Sequence, residues 1–210
     1  MLRVTEIFYS IQGESTLMGL PTVFIRLTGC PLRCQYCDTA YAFSGGNKLS
    51  IEEILQQIAA YSPKFITVTG GEPLAQKNCL PLLTELCHRY TVSLETSGAL
   101  DICAVDPRVI KIVDVKTPGS LEANKNLYEN FQYLSPHDQL KFVICNESDY
   151  VWSKQIIDKY QLAAKCHILF SPSYQQIELR NLADWIIRDN LPVRLQVQLH
   201  KYIWGDESGR

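Results

Sequence analysis

The sequence has no apolar run approaching the roughly 20 residues that a membrane-spanning helix requires, so no such span is expected. It has no excess of either charge: 20 Lys and Arg stand against 22 Asp and Glu, a formal net charge of −2. A general nucleic-acid binder would carry a basic footprint, and none is present. Internal repeats, low-complexity tracts and a convincing linker are also missing. The opening Met-Leu-Arg-Val-Thr-Glu does not join a basic stretch to an apolar one, so no secretory signal is read and a cytoplasmic location is expected. With 46% hydrophobic and only 20% charged residues, disorder is excluded. The length of 210 residues suits one core domain, with residues 1–19 as an N-terminal extension and 205–210 as a polar tail expected to be mobile.

Cysteine, by contrast, is plentiful. Eight are present, and in a reducing compartment they need an explanation other than a disulfide framework. Cys79, Cys87, Cys103, Cys145 and Cys166 are scattered, mostly among apolar neighbours, and are expected to be small core residues. Cys30, Cys34 and Cys37 are clustered with C-x3-C-x2-C spacing. Three thiolates from one short loop suit a soft metal or an iron–sulfur cluster. A closed structural zinc site needs four ligands, and none of His88, His137, His167 and His200 lies nearby in sequence. A distant fourth ligand keeps zinc open at this point.

Strand and helix patterns alternate along the chain. Residues 22–28 read as a strand, and the cysteine loop follows it. Ser50 and Glu53 form a capping box that opens a helix carrying Ile51, Ile54, Leu55 and Ile58 at helical spacing. Strands are expected at 65–69, 91–96, 109–116, 139–144, 167–170 and 193–200, and helices near 80–89, 149–160 and 177–188. Such alternation implies a mostly parallel sheet with right-handed crossovers, too few in number for a complete eight-stranded barrel, so an open or partial barrel or a doubly wound sheet is expected. In such folds the ligand site lies at the carboxyl ends of the strands. In the first strand, period-two alternation sets Phe24, Arg26 and Thr28 opposite Val23, Ile25 and Leu27. An arginine among such neighbours is costly unless it is paired or snorkels from a strand edge.

The cysteine loop after a strand, with Tyr36 before its last cysteine, resembles that of the radical S-adenosylmethionine enzymes. Gly70-Gly71-Glu72-Pro73, ending the next strand, resembles their glycine-rich segment. The fold this implies is a partial (β/α)6-type radical S-adenosylmethionine barrel, an α/β architecture. Cys30, Cys34 and Cys37 would hold a 4Fe-4S cluster with one open iron, where S-adenosylmethionine binds and is reductively cleaved to a hydrogen-abstracting radical. Residues 6–14, 24–30, 37–39, 95–98 and 198–201 resemble, more narrowly, the 7-carboxy-7-deazaguanine synthase family. Its members contract the ring of 6-carboxy-5,6,7,8-tetrahydropterin with loss of ammonia, in queuosine and deazapurine synthesis.

That resemblance implies substrate contacts at Ile11, Gln12, Gly13, Glu14, Arg26, Thr96 and His200, with Lys141 a weaker candidate. It implies cofactor contacts at Gly70, Gly71, Glu72, Gly98, Asp114, Lys116, Ser171 and Pro172, and Mg2+ at Thr39. Without the resemblance, Asp38-Thr39 reads as a turn pair. The chemistry of the first set agrees with a pterin: a carboxylate such as Glu14 can accept two hydrogens from a guanidine-like edge, and Arg26 suits a carboxylate. A homodimer and a flavodoxin-like or ferredoxin-like electron donor are implied as well. A glycyl-radical-activating enzyme, or a non-catalytic zinc or iron–sulfur module, are the competing readings.

Overall fold

The computed structural model describes residues 1–205, 207 and 209; of the polar tail, residues 206, 208 and 210 lie outside the described residues. The frame is a nine-stranded sheet. Strand β1 (Leu2–Ile11) pairs antiparallel with β2 (Pro21–Leu27), and β3 (Asn47–Leu49) pairs antiparallel with the other side of β1. Strands β4 (Phe65–Gly70), β5 (Thr91–Thr96), β6 (Ile110–Val115), β7 (Gln139–Ile144), β8 (His167–Pro172) and β9 (Arg194–Leu195) follow. The order is β3-β1-β2-β4-β5-β6-β7-β8-β9, parallel from β2 to β9. This is the open, partial barrel that the sequence leads one to expect.

Helices α1 (Ile51–Ala59), α2 (Cys79–Leu86), α3 (Glu147–Tyr160) and α4 (Leu179–Arg188) form the outer layer, and α5 (Leu199–Trp204) ends the fold. Ser50 caps α1 reciprocally with Glu53, so two orphan amides at the helix start are satisfied. Ile54 and Ile58 of α1 are fully buried, worth about 1.5–3 kcal/mol each. Helix α3 begins two residues before the expected Asp149 because Asn146 accepts the Asp149 amide and fixes the start.

No α-helix covers the β5–β6 or β6–β7 crossovers among the described residues. Asparagine amides hold them instead. Asn126 pairs with both backbone groups of Lys116, and Asn130 bonds Ile102, Gly98 and Leu100. The amides thus satisfy backbone groups that neither strand nor α-helix pairs, and the β6–β7 crossover adds short 3-10 turns at Pro118–Ser120, Ala123–Lys125 and Tyr128–Tyr133.

Alternation divides each parallel strand. Val23, Ile25 and Leu27, Ile66 and Val68, Val92 and Leu94, and Leu140, Phe142 and Ile144 are buried under the helices. The other face carries Arg26, Thr67, Thr69, Ser93, Glu95, Asp114, Lys141 and Ser171, and it is the polar interior of the partial barrel.

Two expectations are corrected. The last strand is not 193–200 but Arg194–Leu195, and His200 lies on α5. After Gln196, whose amide bonds Phe170, the chain leaves the sheet, and the Leu199 amide is taken by the Gly13 carbonyl at 2.9 Å. The second concerns Cys103. It is exposed rather than a core residue, its thiol 3.0 Å from an Asp101 carboxylate oxygen in a turn. Cys79 and Cys145 are buried, and Cys87 and Cys166 partly so.

Candidate active site

At the carboxyl ends of the strands lies a cavity of about 520 Å3. Its lining draws on the segment after β1, the cysteine loop, the inward residues of β2 and β4–β8, and the start of α5.

Cys30, Cys34 and Cys37 all line this cavity as free thiols. The loop leaves β2 through Gly29, whose φ of +98° favours glycine. Gly71 lies flat on that turn: a Cβ there would stand 2.2 Å from the Gly29 carbonyl oxygen and 2.9 Å from Cys30 Cβ. The Glu72 amide donates to Gly29 O at 2.8 Å, closing the contact. On the other side Gln35 donates its backbone N–H to Ser120 O and its side-chain amide to Gly119 O. The loop is therefore held at both flanks by groups other than its thiols.

Burial pushes the Cys30 and Cys34 thiols up from the ordinary range, so a bound cation is needed to make them thiolates. Among the described residues no three His, Cys, Asp or Glu side chains close on one point as a single ion requires. The three thiols rim a cavity instead, the donor set that a multi-iron cluster takes from one loop. Asp114 Oδ1 and Tyr36 Oη, both on residues of the cavity wall, are buried without a hydrogen-bond partner among the described residues. Two such atoms beside the thiols fit a polar cofactor. The other Asp114 oxygen pairs with Lys116 Nζ at 3.0 Å.

A second polar group surrounds Glu14. Lys141 forms an ion pair with its Oε2, and Gln198 Nε2 donates to its Oε1 at 2.8 Å. Burial alone would raise the Glu14 carboxyl, but the Lys141 ammonium and the Gln198 amide hold it below the ordinary value. Lys141 is itself raised despite burial, by Glu14, Asp114 and Glu95. Glu95 moves oppositely: burial and the Glu14 charge push its carboxyl up, although Thr69 donates to Oε2 at 2.8 Å. Gln12 crosslinks the group, donating to Thr67 Oγ1 at 3.1 Å and accepting the Glu14 amide at 3.1 Å.

Gly13 makes the closest approach in the site. A Cβ there would lie 2.0 Å from His200 Nδ1, so only glycine lets α5 dock on this segment. Gly13→Ala should weaken substrate binding by about tenfold to a hundredfold, as overpacking of about 1–3 kcal/mol implies. The substrate KM checks this, and cofactor cleavage without substrate should persist.

Thr39 lines the cavity, and its hydroxyl donates to Asp38 Oδ1 at 2.8 Å. With its proton engaged, the oxygen presents lone pairs, as a hard cation such as Mg2+ prefers. Burial would raise Asp38, yet the Thr39 hydrogen bond and the Lys201 charge hold it below the ordinary value.

The cavity wall brings together Ile11, Gln12, Gly13, Glu14, Arg26, Gly70, Gly71, Thr96, Asp114, Lys116, Ser171, Pro172 and His200 with the cysteines and Thr39. Glu72 and Gly98 lie outside it. The buried Glu72 carboxylate accepts from Leu74 N, Thr96 Oγ1, Ser97 N and Ser97 Oγ, so it ties the end of β4 to the end of β5. Gly98 has a φ of +71° and gives its carbonyl to Leu127 N and Asn130 Nδ2. Thr69, Glu95 and Gln198 line the cavity unforeseen, and Lys141 is far more central than the sequence implies. A polar residue at alternate positions of an apolar strand was the available signal for Thr69, Glu95 and Lys141.

The Radical SAM superfamily model matches residues 24–116. A 7-carboxy-7-deazaguanine synthase of Chlorobaculum tepidum is 46% identical, over 99% of this chain and 96% of its own length. That of Koribacter versatilis is 39% identical, over 99% of both. That of Thermoplasma acidophilum is 34% identical, over 99% of this chain and all of its own length, 100%. Among solved structures, QueE from Escherichia coli matches with a TM-score of 0.77 at 23% identity, over 95% of this chain and 94% of that one, a likeness of fold.

Proposed function

The chain belongs to the 7-carboxy-7-deazaguanine synthase family of radical S-adenosylmethionine enzymes, and on that premise we propose how its own residues serve the reaction. It is a lyase that converts 6-carboxy-5,6,7,8-tetrahydropterin to 7-carboxy-7-deazaguanine, in queuosine and deazapurine synthesis, with a 4Fe-4S cluster and S-adenosylmethionine as cofactors. Substrate and product differ by one ammonia, so the conversion needs no net oxidant. When bound, the cluster and S-adenosylmethionine together supply hydrogen-atom abstraction upon one-electron reduction.

Cys30, Cys34 and Cys37 would hold the cluster. Gly70, Gly71, Asp114, Lys116, Ser171 and Pro172 would border S-adenosylmethionine, with Asp114 Oδ1 accepting one of its hydroxyl or amino hydrogens. The anionic Glu14 accepts two hydrogens from the guanidine-like edge of the pterin. Gln12 and the main chain of Ile11 and Gly13 take the mixed remainder of that edge, while Thr96 and His200 complete the substrate wall. The Phe8 and Phe24 rings, stacked at 5.0 Å beside the site, exclude water from its flat face. Arg26 grips the substrate carboxylate, and Thr39 would hold Mg2+, which would supply charge stabilisation to substrate oxygens.

The observation that carries this reading is the meeting of the three thiols with Gln12, Glu14 and Arg26 in one cavity. Further elements rest on the family resemblance: a single core domain with residues 1–19 as part of the pocket, a homodimer, a cytoplasmic location, and a flavodoxin-like or ferredoxin-like electron donor. No helix among the described residues is long and apolar enough to cross a membrane.

The test is anaerobic. Reduced, cluster-loaded enzyme is incubated with S-adenosylmethionine, Mg2+ and the carboxypterin, and the deazaguanine is sought by mass. Cofactor cleavage without that product would refute the substrate assignment. Arg26→Lys should raise the substrate KM by about tenfold or more, because a point charge cannot reproduce a planar fork. An unchanged KM would remove Arg26 from the carboxylate site.

A further inference from the structure

Arg26 enters the cavity from a strand whose pairing is irregular at that position. In the β1–β2 pairing Val4 faces Leu27, and a regular ladder would next set Thr5 opposite Arg26. A register shift between Val4 and Glu6 intervenes, so Glu6 faces Arg26 instead. Bulges of this kind re-aim side chains beside active sites. Here the bulge exchanges a threonine for a carboxylate as the cross-strand partner of the arginine.

Glu6 Oε1 accepts from Arg26 Nε at 2.7 Å and from the Tyr41 hydroxyl at 2.8 Å. The guanidinium carbon sits 5.7 Å from the Phe8 ring centre and 5.8 Å from that of Tyr41. The group is thus gripped on its Nε edge and flanked by two rings. Engagement through Nε leaves the end-on pair of Nη groups as the fork for an incoming anion. Arg26, Phe8 and Tyr41 line the cavity, and Glu6 stands behind them.

We infer that Glu6 is a positioning residue that aims the Arg26 fork into the cavity, with Tyr41 as its brace, and so sets the preference for a pterin bearing a carboxylate. The inference rests on the reading that Arg26 binds that carboxylate. Glu6 does not itself contact substrate, because its charge would repel the anion that Arg26 attracts.

The test compares binding of 6-carboxytetrahydropterin with that of unsubstituted tetrahydropterin, in anaerobic cluster-loaded enzyme. Wild type should prefer the carboxylated ligand. Glu6→Gln keeps the shape and weakens a charge-assisted bond to a neutral one, so that preference should fall by about tenfold. Binding of the unsubstituted pterin and cofactor cleavage without substrate should not move. Tyr41→Phe, which removes only the bracing hydroxyl, should lower the preference by a smaller factor. In an Arg26→Gln background, Glu6→Gln should have no further effect on it.

Equal weakening of both pterins by Glu6→Gln, or additive effects of the Glu6 and Arg26 substitutions, would overturn the inference. If Glu6→Gln fails to fold, Tyr41→Phe decides, and an unchanged preference there counts against the clamp. If Arg26→Gln itself leaves the preference intact, the carboxylate reading of Arg26 fails, and this inference falls with it.

Discussion

Cys34→Ala is expected to leave a folded protein that assembles no competent cluster and cleaves no S-adenosylmethionine. Cys34 is partly exposed at the cavity wall and does not belong to the buried apolar core among the described residues. Its loop is secured by neighbours: Gln35 bonds Ser120 and Gly119, and the Arg33 amide donates to a Glu122 carboxylate oxygen at 2.5 Å. Stability should therefore change by no more than about 0.5 kcal/mol, the usual range for a substitution outside the core. The lost function follows from ligand count. Three thiolates from one loop are the protein's whole contribution to the proposed cluster, so deleting one leaves the cluster a ligand short. Anaerobic reconstitution followed by absorbance and paramagnetic resonance measures the cluster, and product analysis measures cleavage. Cleavage surviving in Cys34→Ala would remove that thiol from the ligand set. Cys103→Ala is the matched control, because Cys103 is exposed in a turn outside the cavity wall and should behave as wild type.

The contrast between these two cysteines shows what the sequence made legible. Spacing within one loop is a local property, so Cys30, Cys34 and Cys37 could be picked out before any fold was known. Exposure is not local. Cys103 sits between Ile102 and Ala104 yet faces solvent, because the turn after Asp101 directs it outward. Motif identity has the same limit. Gly70 and Gly71 line the cavity, but Glu72 turns to gather donors from Thr96 and Ser97. No pattern within Gly-Gly-Glu-Pro states which way the carboxylate points.

Strand alternation marks further inward-facing charges besides Arg26. The period-two pattern that set Arg26 apart from Ile25 and Leu27 also sets Glu95 apart from Leu94, and Lys141 apart from Leu140 and Phe142. A charge inside an apolar strand is costly unless partnered, and here the partners come from other elements: Lys141 from β7 meets Glu14 from the segment after β1. Pairings between such distant parts of the chain are fixed by the sheet order, which one sequence does not display. The helix at Leu199–Trp204 was hidden for a related reason. Residues 193–197 alternate like a strand, and only the Gly13 carbonyl, reaching from the far end of the chain, captures Leu199 into another path.

The Glu14–Lys141 pair supports a second prediction of large effect. Both side chains are only 15% exposed, so each charge depends on the other. Lys141→Met keeps the bulk and removes the cation. Breaking a buried pair from one side costs about 3–5 kcal/mol, because an uncompensated charge remains. The consequence for Glu14 follows from its lowered pKa. In wild type the carboxylate contributes stability that is complete above its ordinary value of 4.5 and lost as pH falls through the lower folded value. Lys141, raised above its ordinary 10.5, contributes stability that is complete below that value and lost as pH climbs through the higher folded one. Between these limits the pair is intact, and wild-type substrate binding should be flat from pH 6 to 9 so far as Glu14 governs it. Without Lys141, burial, the largest influence on Glu14, is opposed mainly by the Gln198 hydrogen bond and raises the carboxyl, so the neutral form gains at pH 7. A neutral carboxyl no longer accepts two hydrogens from the pterin edge. The substrate KM of Lys141→Met should rise by about a hundredfold at pH 7, as the loss of one buried charge-assisted pairing implies, and recover in part toward pH 9. Adding Glu14→Gln should restore much of the lost stability, since a neutral amide needs no cation, while leaving substrate binding impaired. A double variant no more stable than Lys141→Met, or a KM for Lys141→Met that ignores pH, would show that the ammonium serves some purpose other than keeping Glu14 ionised.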